Sequence, residues 1–238
     1  MNFRTTLELT VFAVLFVTSF FFYIILRKEQ EQNLDIVEFV FENLSHDDAV
    51  FKSHSLLVFY LAKLFYEYLP FKYKVQLSFN KFAISALLHD IGKTTIPKKI
   101  IYKAGKLSEE ELELVKRHTE IGNELIMQNK NLRFMSNVVL HHHERVDGSG
   151  YEKLSTKKIP LDAKIIAIVD TYAAITLENS FKPSRSYGEG IISLRMSAGS
   201  KFDKELVELF CSIPQDKVNA CTAKVVEKIL KKNINKGI

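Results

Sequence analysis

The chain has 238 residues, 47% of them apolar, and contains only nine glycines and five prolines. This composition is sufficient for one hydrophobic core together with a membrane segment, and it disfavours a turn-rich β-sandwich. The net charge of +5 suits an anionic partner. Tryptophan is absent and no base-stacking platform is evident, so we expect no nucleic-acid polymer as a partner. Cys211 and Cys221 lack the CxxC spacing and are interpreted as reduced thiols.

An uncharged apolar run extends from Leu9 to Leu26 and ends at Arg27 and Lys28. As a helix it would span about 27 Å, close to the ~30 Å hydrocarbon core of a bilayer. The run is longer than the apolar core of a signal peptide, and no small-residue cleavage site follows it. We therefore predict a single-pass membrane anchor rather than a signal peptide or a buried core helix. Basic residues lie on both sides, so the flanking charges do not determine the orientation.

Residues 29–44 are charged and compatible with a helix. One interpretation is a stalk that pairs with a second copy through Leu34, Val37 and Val40, which would give a homodimer. The other is a solvated connector. Both interpretations stay open.

Two histidines in the next segment lie on predicted inward faces. His54 shares the apolar face of an amphipathic helix with Leu57, Val58, Leu61 and Phe65. His89 and Asp90 end an apolar run that aligns with Phe82, Ser85 and Ala86. Gly92 then interrupts the element, and Lys93 follows.

The rest of the chain again places ionisable groups at the ends of apolar segments. Ser108 and Glu111 form a predicted capping box. One continuous helix from there is expected to carry His118 on a face with Leu114, Val115, Ile121, Gly122 and Leu125. A further helix leads through Met135, Val138 and Val139 to His141-His142-His143-Glu144, and Ile165 to Val169 lead to Asp170. After Phe202 we predict one amphipathic helix and a basic tail from Lys224 to Lys236. No strand-like alternation is visible, so the predicted fold class is all-α.

The inward-facing ionisable groups have a common explanation in metal binding. They are His54, His89, Asp90, His118, one or two of His141 to His143, and Asp170. A lone buried histidine is usually a hydrogen-bonded core residue. A set this large on separate helices is better explained by a cation, because one cation pairs several ligands at once.

The ligand types narrow the metal and the chemistry. Nitrogen and oxygen ligands without thiolate suit iron, manganese, zinc or another borderline divalent ion, and the number of ligands suggests two ions bridged by Asp90. Two such ions can activate a water and stabilise an in-line displacement at phosphorus. Lys93 can direct its ammonium group at a phosphoryl oxygen, or it can be an exposed loop lysine.

The order of these residues resembles the HD-GYP domain. The matching elements are His54, HDIGK at 89–93, His118-Thr119-Glu120-Ile121-Gly122, HHERVDGSGY at 142–151, and Asp170. The resemblance covers residues 45–215 and implies an all-α HD-domain helical bundle. Residues 1–28 would then be the transmembrane anchor, 29–44 the juxtamembrane linker, and 216–238 a C-terminal helix and basic tail.

The resemblance implies a role for each matched residue. One metal would be bound by His54, His89, Asp90 and Asp170, and the second by Asp90, His118, His142 and His143. His141 falls outside the family pair and is interpreted as a neighbour. Asp90 and Lys93 would be catalytic. Substrate contacts would come from Lys93, Arg145, Asp147, Gly148, Tyr151, Lys182 and Arg185. Iron or manganese is the expected metal, with zinc, nickel, cobalt or magnesium as alternatives.

Three positions depart from the family pattern. Glu152 replaces the proline of the GYP motif, which spares the metal ligands but bears on the loop shape and on partner docking. The segment from Lys182 to Arg185 lacks one arginine and the aromatic residue of the family, which bears on guanine contacts. Val50 stands where three-metal relatives have a glutamate, which favours two metals.

The expected function is a metal-dependent phosphodiesterase that hydrolyses cyclic di-GMP to pGpG or GMP through a metal-bound hydroxide. Its cytoplasmic substrate implies a single-pass protein of the cytoplasmic membrane whose catalytic domain faces the cytoplasm. A diguanylate cyclase (GGDEF) is a further expected partner. Two alternatives stay open: a general HD phosphohydrolase acting on nucleotides or (p)ppGpp, and a non-catalytic signalling or docking module.

Overall fold

The computed structural model describes residues 48–177 and 184–235, with side chains up to residue 229, and four isolated positions before residue 42. The chain divides into two compact units, Met1–Leu44 and Ser45–Ile238, and the architecture below is that of the second. The predicted anchor, apart from Thr18, lies outside the described residues, as do Lys182 and most of the predicted linker. Within the described part, no helix is both long enough and apolar enough to cross a membrane.

The described part of the second unit is helical. Its α-helices are α1 (Ala49–Tyr68), α2 (Phe71–Lys74), α3 (Phe79–Leu88), α4 (Lys98–Ile101), α5 (Glu109–Lys116), α6 (His118–Met127), α7 (Ser136–His141), α8 (Leu161–Thr176), α9 (Tyr187–Met196), α10 (Lys204–Cys211) and α11 (Gln215–Asn235). Two 3₁₀ helices, Ile91–Thr95 and Arg133–Met135, follow α3 and precede α7. Residues 48–177 and 184–235 contain no β-strand, only an isolated bridge between Ala198 and Phe202. The all-α prediction is confirmed, and the transmembrane helix stays a prediction.

Helix α1 lies at the centre of the bundle. Asp48 caps its N-terminus, where the side-chain Oδ1 accepts a hydrogen bond from the Phe51 N–H at 2.9 Å. Helices α3, α8 and α11 pack around α1, and its fully buried side chains include Leu56, Leu57, Val58, Phe59, Leu61 and Phe65. Because α1 contacts α8, His54 meets Asp170, which lies 116 residues later in the chain.

The capping box at Ser108 and Glu111 is confirmed, but the single helix expected after it is wrong. The chain turns at Arg117, so α5 ends at Lys116 and α6 begins at His118. Leu125, expected to face inward, is exposed. A local contact accompanies the turn, since His118 Nδ1 lies 2.7 Å from the Val115 carbonyl oxygen and so joins the first residue of α6 to the last turn of α5.

Two helices follow Phe202, rather than the single amphipathic helix expected there. Two helices, α10 and α11, are separated at Pro214, which lacks the amide proton needed to continue α10. The expected tail from Lys224 onward continues α11 to Asn235. Val225 is buried, and Lys224 Nζ lies 4.2 Å from the centroid of the Tyr60 ring on α1. These contacts hold this part of α11 against the central helix.

The 3₁₀ turn after Asp90 packs directly against the backbone of α6. A Cβ atom on Gly92 would lie 1.9 Å from the His118 carbonyl oxygen and 2.7 Å from the Gly122 nitrogen. A Cβ atom on Gly122 would in turn lie 2.9 Å from Val139 Cγ1. Only glycine permits such an approach. The close approach at Gly92 and Gly122 therefore fixes the Asp90 turn relative to His118.

Candidate metal centre

Asp90 lies at the centre of the candidate site. It follows His89, the C-cap residue of α3, and precedes the 3₁₀ helix that carries Lys93. The apolar residues before it, Ala86 and Leu87, are fully buried. They hold the end of α3 in the core, so His89 and Asp90 are buried as well, with exposed fractions of 0% and 1%.

Two groups of possible ligands surround Asp90. The first group is His54, His89 and Asp170, and the second is Asp90, His118, His142 and His143; within each group the ligand atoms lie within 4.8 Å of one another. In the first group, His54 Nε2 lies 2.8 Å from Asp170 Oδ1, and His89 Nε2 lies 3.6 Å from the same oxygen. In the second, His118 Nε2 lies 3.4 Å from His142 Nε2.

The Asp90 carboxylate directs one oxygen at each group. Its Oδ2 lies 3.2 Å from His89 Nε2 and 3.9 Å from His54 Nε2. Its Oδ1 lies 3.2 Å from His118 Nε2 and 3.5 Å from His142 Nε2. This placement is the one that a carboxylate bridging two cations needs.

Three of the histidines are oriented by carbonyl groups of their own helical turns. The Nδ1 atoms of His89, His118 and His142 lie 2.8, 2.7 and 2.9 Å from the carbonyl oxygens of Ala86, Val115 and Val138. With Nδ1 placed at a carbonyl, Nε2 is the ring nitrogen that each histidine can offer to a cation. Each Nε2 atom faces the Asp90 carboxylate, which is the arrangement of a metal-ligating imidazole.

Two buried atoms of this centre have no hydrogen-bond partner among the described residues, namely His89 Nε2 and Asp90 Oδ1. Buried polar atoms without a partner cost free energy, and they are rare in folded proteins. A divalent cation bound to each would remove that cost. The donor set of imidazole and carboxylate, without thiolate, is compatible with a divalent metal site.

The electrostatics favour cations at both groups. Burial raises the pKa of a carboxyl group, but Lys93 and His89 outweigh burial at Asp90 and hold its pKa well below the usual range. The hydrogen bond with His54 and the nearby His89 ring likewise outweigh burial and keep the pKa of Asp170 low. Burial lowers the pKa of His89, yet the carboxylate of Asp90 raises it to about 10. The carboxylates therefore stay ionised and create a negative potential that attracts protons or metal ions.

In the second group, the neutral imidazole is favoured at His142 and His143. Burial lowers the pKa of His142, and burial together with the neighbouring His142 lowers that of His143 well below its usual range. Neutral imidazole is the form that binds metals. His141 belongs to neither group, and its Nδ1 lies 3.8 Å from Glu152 Oε2.

Two predicted substrate contacts border the centre. Lys93 Nζ lies 2.5 Å from Asp90 Oδ2, and a quarter of its side chain is exposed. The Tyr151 ring lies 4.8 Å from the His143 ring, centroid to centroid, and 37% of Tyr151 is exposed. A bound phosphate ester could therefore contact an ammonium group and an aromatic ring next to the proposed ligands.

The other predicted substrate contacts are less close to the centre. Asp147 is exposed, and its Oδ1 accepts from the Ser149 N–H at 2.9 Å, which stabilises the turn at Gly148, where φ is +78°. Arg145 lies half-buried at the start of this turn. Arg185 lines a cavity of about 540 Å³ with Tyr172 and Tyr187, and no residue lining this cavity belongs to either ligand group.

Glu144 is a functional residue that the sequence analysis did not single out. Its buried carboxylate accepts two backbone hydrogen bonds at 2.7 Å, from Glu152 N–H to Oε1 and from Leu154 N–H to Oε2. These bonds close the loop that carries Tyr151. Position 144 lies directly after His143, and a charged residue beside an inward-facing histidine was the available signal.

Glu144→Gln should loosen this loop. A hydrogen bond to a charged acceptor contributes about 1.5–3 kcal/mol, so the Glu152 and Leu154 amides should exchange with solvent roughly tenfold faster. Hydrogen-exchange mass spectrometry of residues 145–154 measures this. Glu152→Gln, which keeps the backbone donor, is the matched control and should exchange at the wild-type rate. Equal exchange in Glu144→Gln and wild type would contradict the anchoring role.

The described part of this domain is a helical bundle, and its adjacent histidine and aspartate connect two groups of possible metal ligands. These features are those of a metal-binding helical domain. The HD domain family model matches residues 72–206, more than half of the chain, and the chain belongs to this family. His54 precedes the matched stretch, so its place in the first group rests on the geometry.

Curated relatives indicate which proteins with an HD domain this chain is similar to. The chain is 38% identical to the cyclic di-GMP phosphodiesterase response regulator RpfG of Xanthomonas campestris, over 52% of this chain and 34% of the relative. It is 34% identical to the cyclic di-GMP phosphodiesterase of Thermotoga maritima, over 56% of this chain and 37% of the relative. The predicted resemblance to HD-GYP proteins is thus confirmed. The chain spans little more than a third of the length of these two relatives.

One solved structure shares the fold. Bd1817, a HDG"Y"P protein from Bdellovibrio bacteriovorus, aligns with a TM-score of 0.55 and 20% identity, covering 72% of this chain and 54% of that chain. At this level of identity, the likeness shows a common fold.

Proposed function

We propose that this chain is a metal-dependent phosphodiesterase that hydrolyses cyclic di-GMP to pGpG or GMP. The observation that carries the proposal is the Asp90 carboxylate, with Oδ2 3.2 Å from His89 Nε2 and Oδ1 3.2 Å from His118 Nε2. When bound at the two groups, divalent cations would supply Lewis acidity and an activated water for attack at phosphorus. Iron or manganese suits the nitrogen and oxygen donors, and zinc, nickel, cobalt or magnesium are alternatives.

The residues of the chain would divide the work. His54, His89 and Asp170 would hold one ion, His118, His142 and His143 the other, and Asp90 both. Lys93 would neutralise a phosphoryl oxygen, because its ammonium group reaches the centre and is partly open to solvent. Tyr151 would cover the second group and position the substrate, since its ring packs on His143.

The substrate class follows from the relatives together with the site. The two relatives described above bear the name cyclic di-GMP phosphodiesterase, and the alignment with each covers more than half of this chain. We also propose a location at the cytoplasmic membrane through the apolar run at Leu9–Leu26, with the domain facing the cytoplasm. A homodimer through residues 29–44 and a diguanylate cyclase (GGDEF) partner complete the proposal.

A substrate panel tests this function. Full-length protein, purified without oxygen and supplied with manganese or ferrous iron, is incubated separately with cyclic di-GMP, a second cyclic dinucleotide, (p)ppGpp and simple nucleotides. Chromatography should show pGpG or GMP formed from cyclic di-GMP, and none in Asp90→Asn. Turnover of (p)ppGpp or simple nucleotides alone would favour a general HD phosphohydrolase. Metal-loaded protein that turns over no substrate would favour a non-catalytic docking module.

Lys93→Ala should lower kcat/KM for cyclic di-GMP about 100-fold, because a charge that stabilises the reacting phosphoryl group is lost. The metal content should stay at the wild-type level, since the nearby ligand atoms remain. Lys99→Ala, an exposed lysine of the following helix α4, is the matched control and should leave kcat/KM unchanged. Wild-type kinetics in Lys93→Ala would show that this lysine does not contact the substrate.

A further inference from the structure

A short turn on the surface of the domain exposes large apolar side chains. Phe71, the first residue of α2, is 80% exposed, and Val75, which follows α2, is 63% exposed. The neighbouring Tyr68 is also partly exposed. Contiguous apolar groups on a surface commonly mark an interaction site, whereas single exposed apolar residues do not.

Lysines surround this apolar turn. Lys72 and Lys74 alternate with its apolar residues. A cleft of about 400 Å³ beside the turn is bounded by Tyr73 and Gln76 and by three lysines, Lys157, Lys158 and Lys164. Among the described residues, none of these three lysines forms an ion pair.

The acidic groups of this surface are fewer than its lysines. Asp203 also lines the cleft, where its Oδ1 caps α10 by accepting from the Glu205 and Leu206 N–H groups. The Glu205 side chain pairs with Lys72 at 2.6 Å. The exposed Glu67 precedes Tyr68, so five lysines face three carboxylates and the surface keeps a positive charge.

Anionic phospholipid is the occupant that fits this surface best. An exposed phenylalanine flanked by lysines is the arrangement of side chains that enter the boundary between headgroups and acyl chains. Lysine stems can lie along apolar surface while their ammonium groups reach lipid phosphates. Phe71 is 80% exposed, so its ring is free to enter such a boundary.

We propose that the turn from Phe71 to Val75 and the adjoining lysine cleft dock the domain on an anionic phospholipid surface. Phe71 and Val75 enter the interface, and Lys157, Lys158 and Lys164 bind lipid phosphates. This docking goes beyond the phosphodiesterase function. It also differs from the anchor proposed at Leu9–Leu26, because an anchor limits the distance from the membrane whereas this surface sets the orientation of the domain.

The absence of tryptophan from the chain permits a direct test. Phe71→Trp introduces a single tryptophan on this surface, which can be excited selectively over the nine tyrosines. Met196→Trp on α9 is the matched control, because Met196 is 81% exposed and Phe71 80%. Both full-length variants are reconstituted into vesicles of phosphatidylcholine, with and without phosphatidylglycerol. In a parallel set of both kinds of vesicle, part of the phospholipid is brominated in the acyl chains.

The emission of the Phe71→Trp variant should shift to shorter wavelength in the phosphatidylglycerol vesicles and be quenched by the brominated chains, and that of the Met196→Trp variant should show neither effect. Changing Lys157, Lys158 and Lys164 to glutamine in the Phe71→Trp background should abolish the shift, since each lysine strengthens association with an anionic surface roughly fivefold. Inorganic phosphate added to the protein in detergent should not reproduce the shift.

Three results would overturn the proposal. The first is identical emission of the Phe71→Trp variant in both kinds of vesicle without quenching. The second is an equal shift in pure phosphatidylcholine that survives the lysine changes. The third is a shift in detergent that grows with protein concentration, which would identify a second copy of the chain as the occupant.

Discussion

Asp90→Asn is expected to empty both ligand groups together. Asparagine has no negative charge and presents an NH₂ group in place of one oxygen. It therefore cannot offer an oxygen ligand beside His89 and another beside His118 at once. Loss of an outer partner of a ligand weakens metal binding 10–100-fold, so loss of the bridge should exceed about 100-fold. Hydrolysis of cyclic di-GMP should fall more than about 1,000-fold, since several kcal/mol of charge stabilisation are removed. Elemental analysis of anaerobically purified protein measures the metal directly.

Two matched variants make this result specific. Asp170→Asn changes only the first group and should retain metal at the second. Asp216→Asn, an exposed aspartate at the start of α11, should retain the wild-type metal content and activity. If Asp90→Asn kept as much metal as Asp170→Asn, the two groups would not share Asp90, and the proposed mechanism would fail.

Gly92→Ala should have the largest effect on stability of any small substitution near the centre. The added methyl group would meet the His118 carbonyl oxygen at 1.9 Å, and backbone rather than a flexible side chain would have to move. Overpacking of this kind costs about 3 kcal/mol. The shift would also move His118 away from Asp90 Oδ1, now 3.2 Å from its Nε2, and weaken the second group. Urea unfolding and metal content report the two effects separately.

Gly188→Ala is the control for this prediction. No heavy atom lies within 4 Å of the Cβ position at Gly188, which lies in α9. Alanine should therefore stabilise the protein by about 0.5–1 kcal/mol through helix propensity alone. A Gly92→Ala protein with wild-type stability and metal content would show that the 3₁₀ turn can move without affecting His118.

The ligand groups could be anticipated from the sequence because each ligand ends or interrupts an apolar pattern. His54 lies on the same helical face as Leu57 and Leu61, and Asp170 follows the apolar run from Ile165. Helical periodicity then requires these side chains to face the core. Which helices meet is not contained in periodicity, so the pairing of His54 with Asp170 required the packing of α1 on α8.

Other features depend on contacts that no local pattern reveals. The turn at Arg117 occurs within a stretch whose apolar spacing continues smoothly through Ile121. A hydrogen bond between the His118 ring and the Val115 carbonyl accompanies it. Arg185 was predicted to contact the substrate because of its position in a motif. In the structure it lines a cavity with Tyr172 and Tyr187, and its backbone N–H donates a hydrogen bond to the Ile175 carbonyl of α8. Position in a motif did not predict that contact.

The carboxylate of Glu144 bears on any attempt to repair the GYP motif by restoring its proline. Its Oε1 accepts a hydrogen bond from the backbone N–H of residue 152, and proline has no N–H to donate there. Introducing the consensus proline at position 152 would thus remove one of the two hydrogen bonds that close the loop. In this chain, the residue that looks like a defect in the motif supplies a hydrogen-bond donor that the consensus residue lacks.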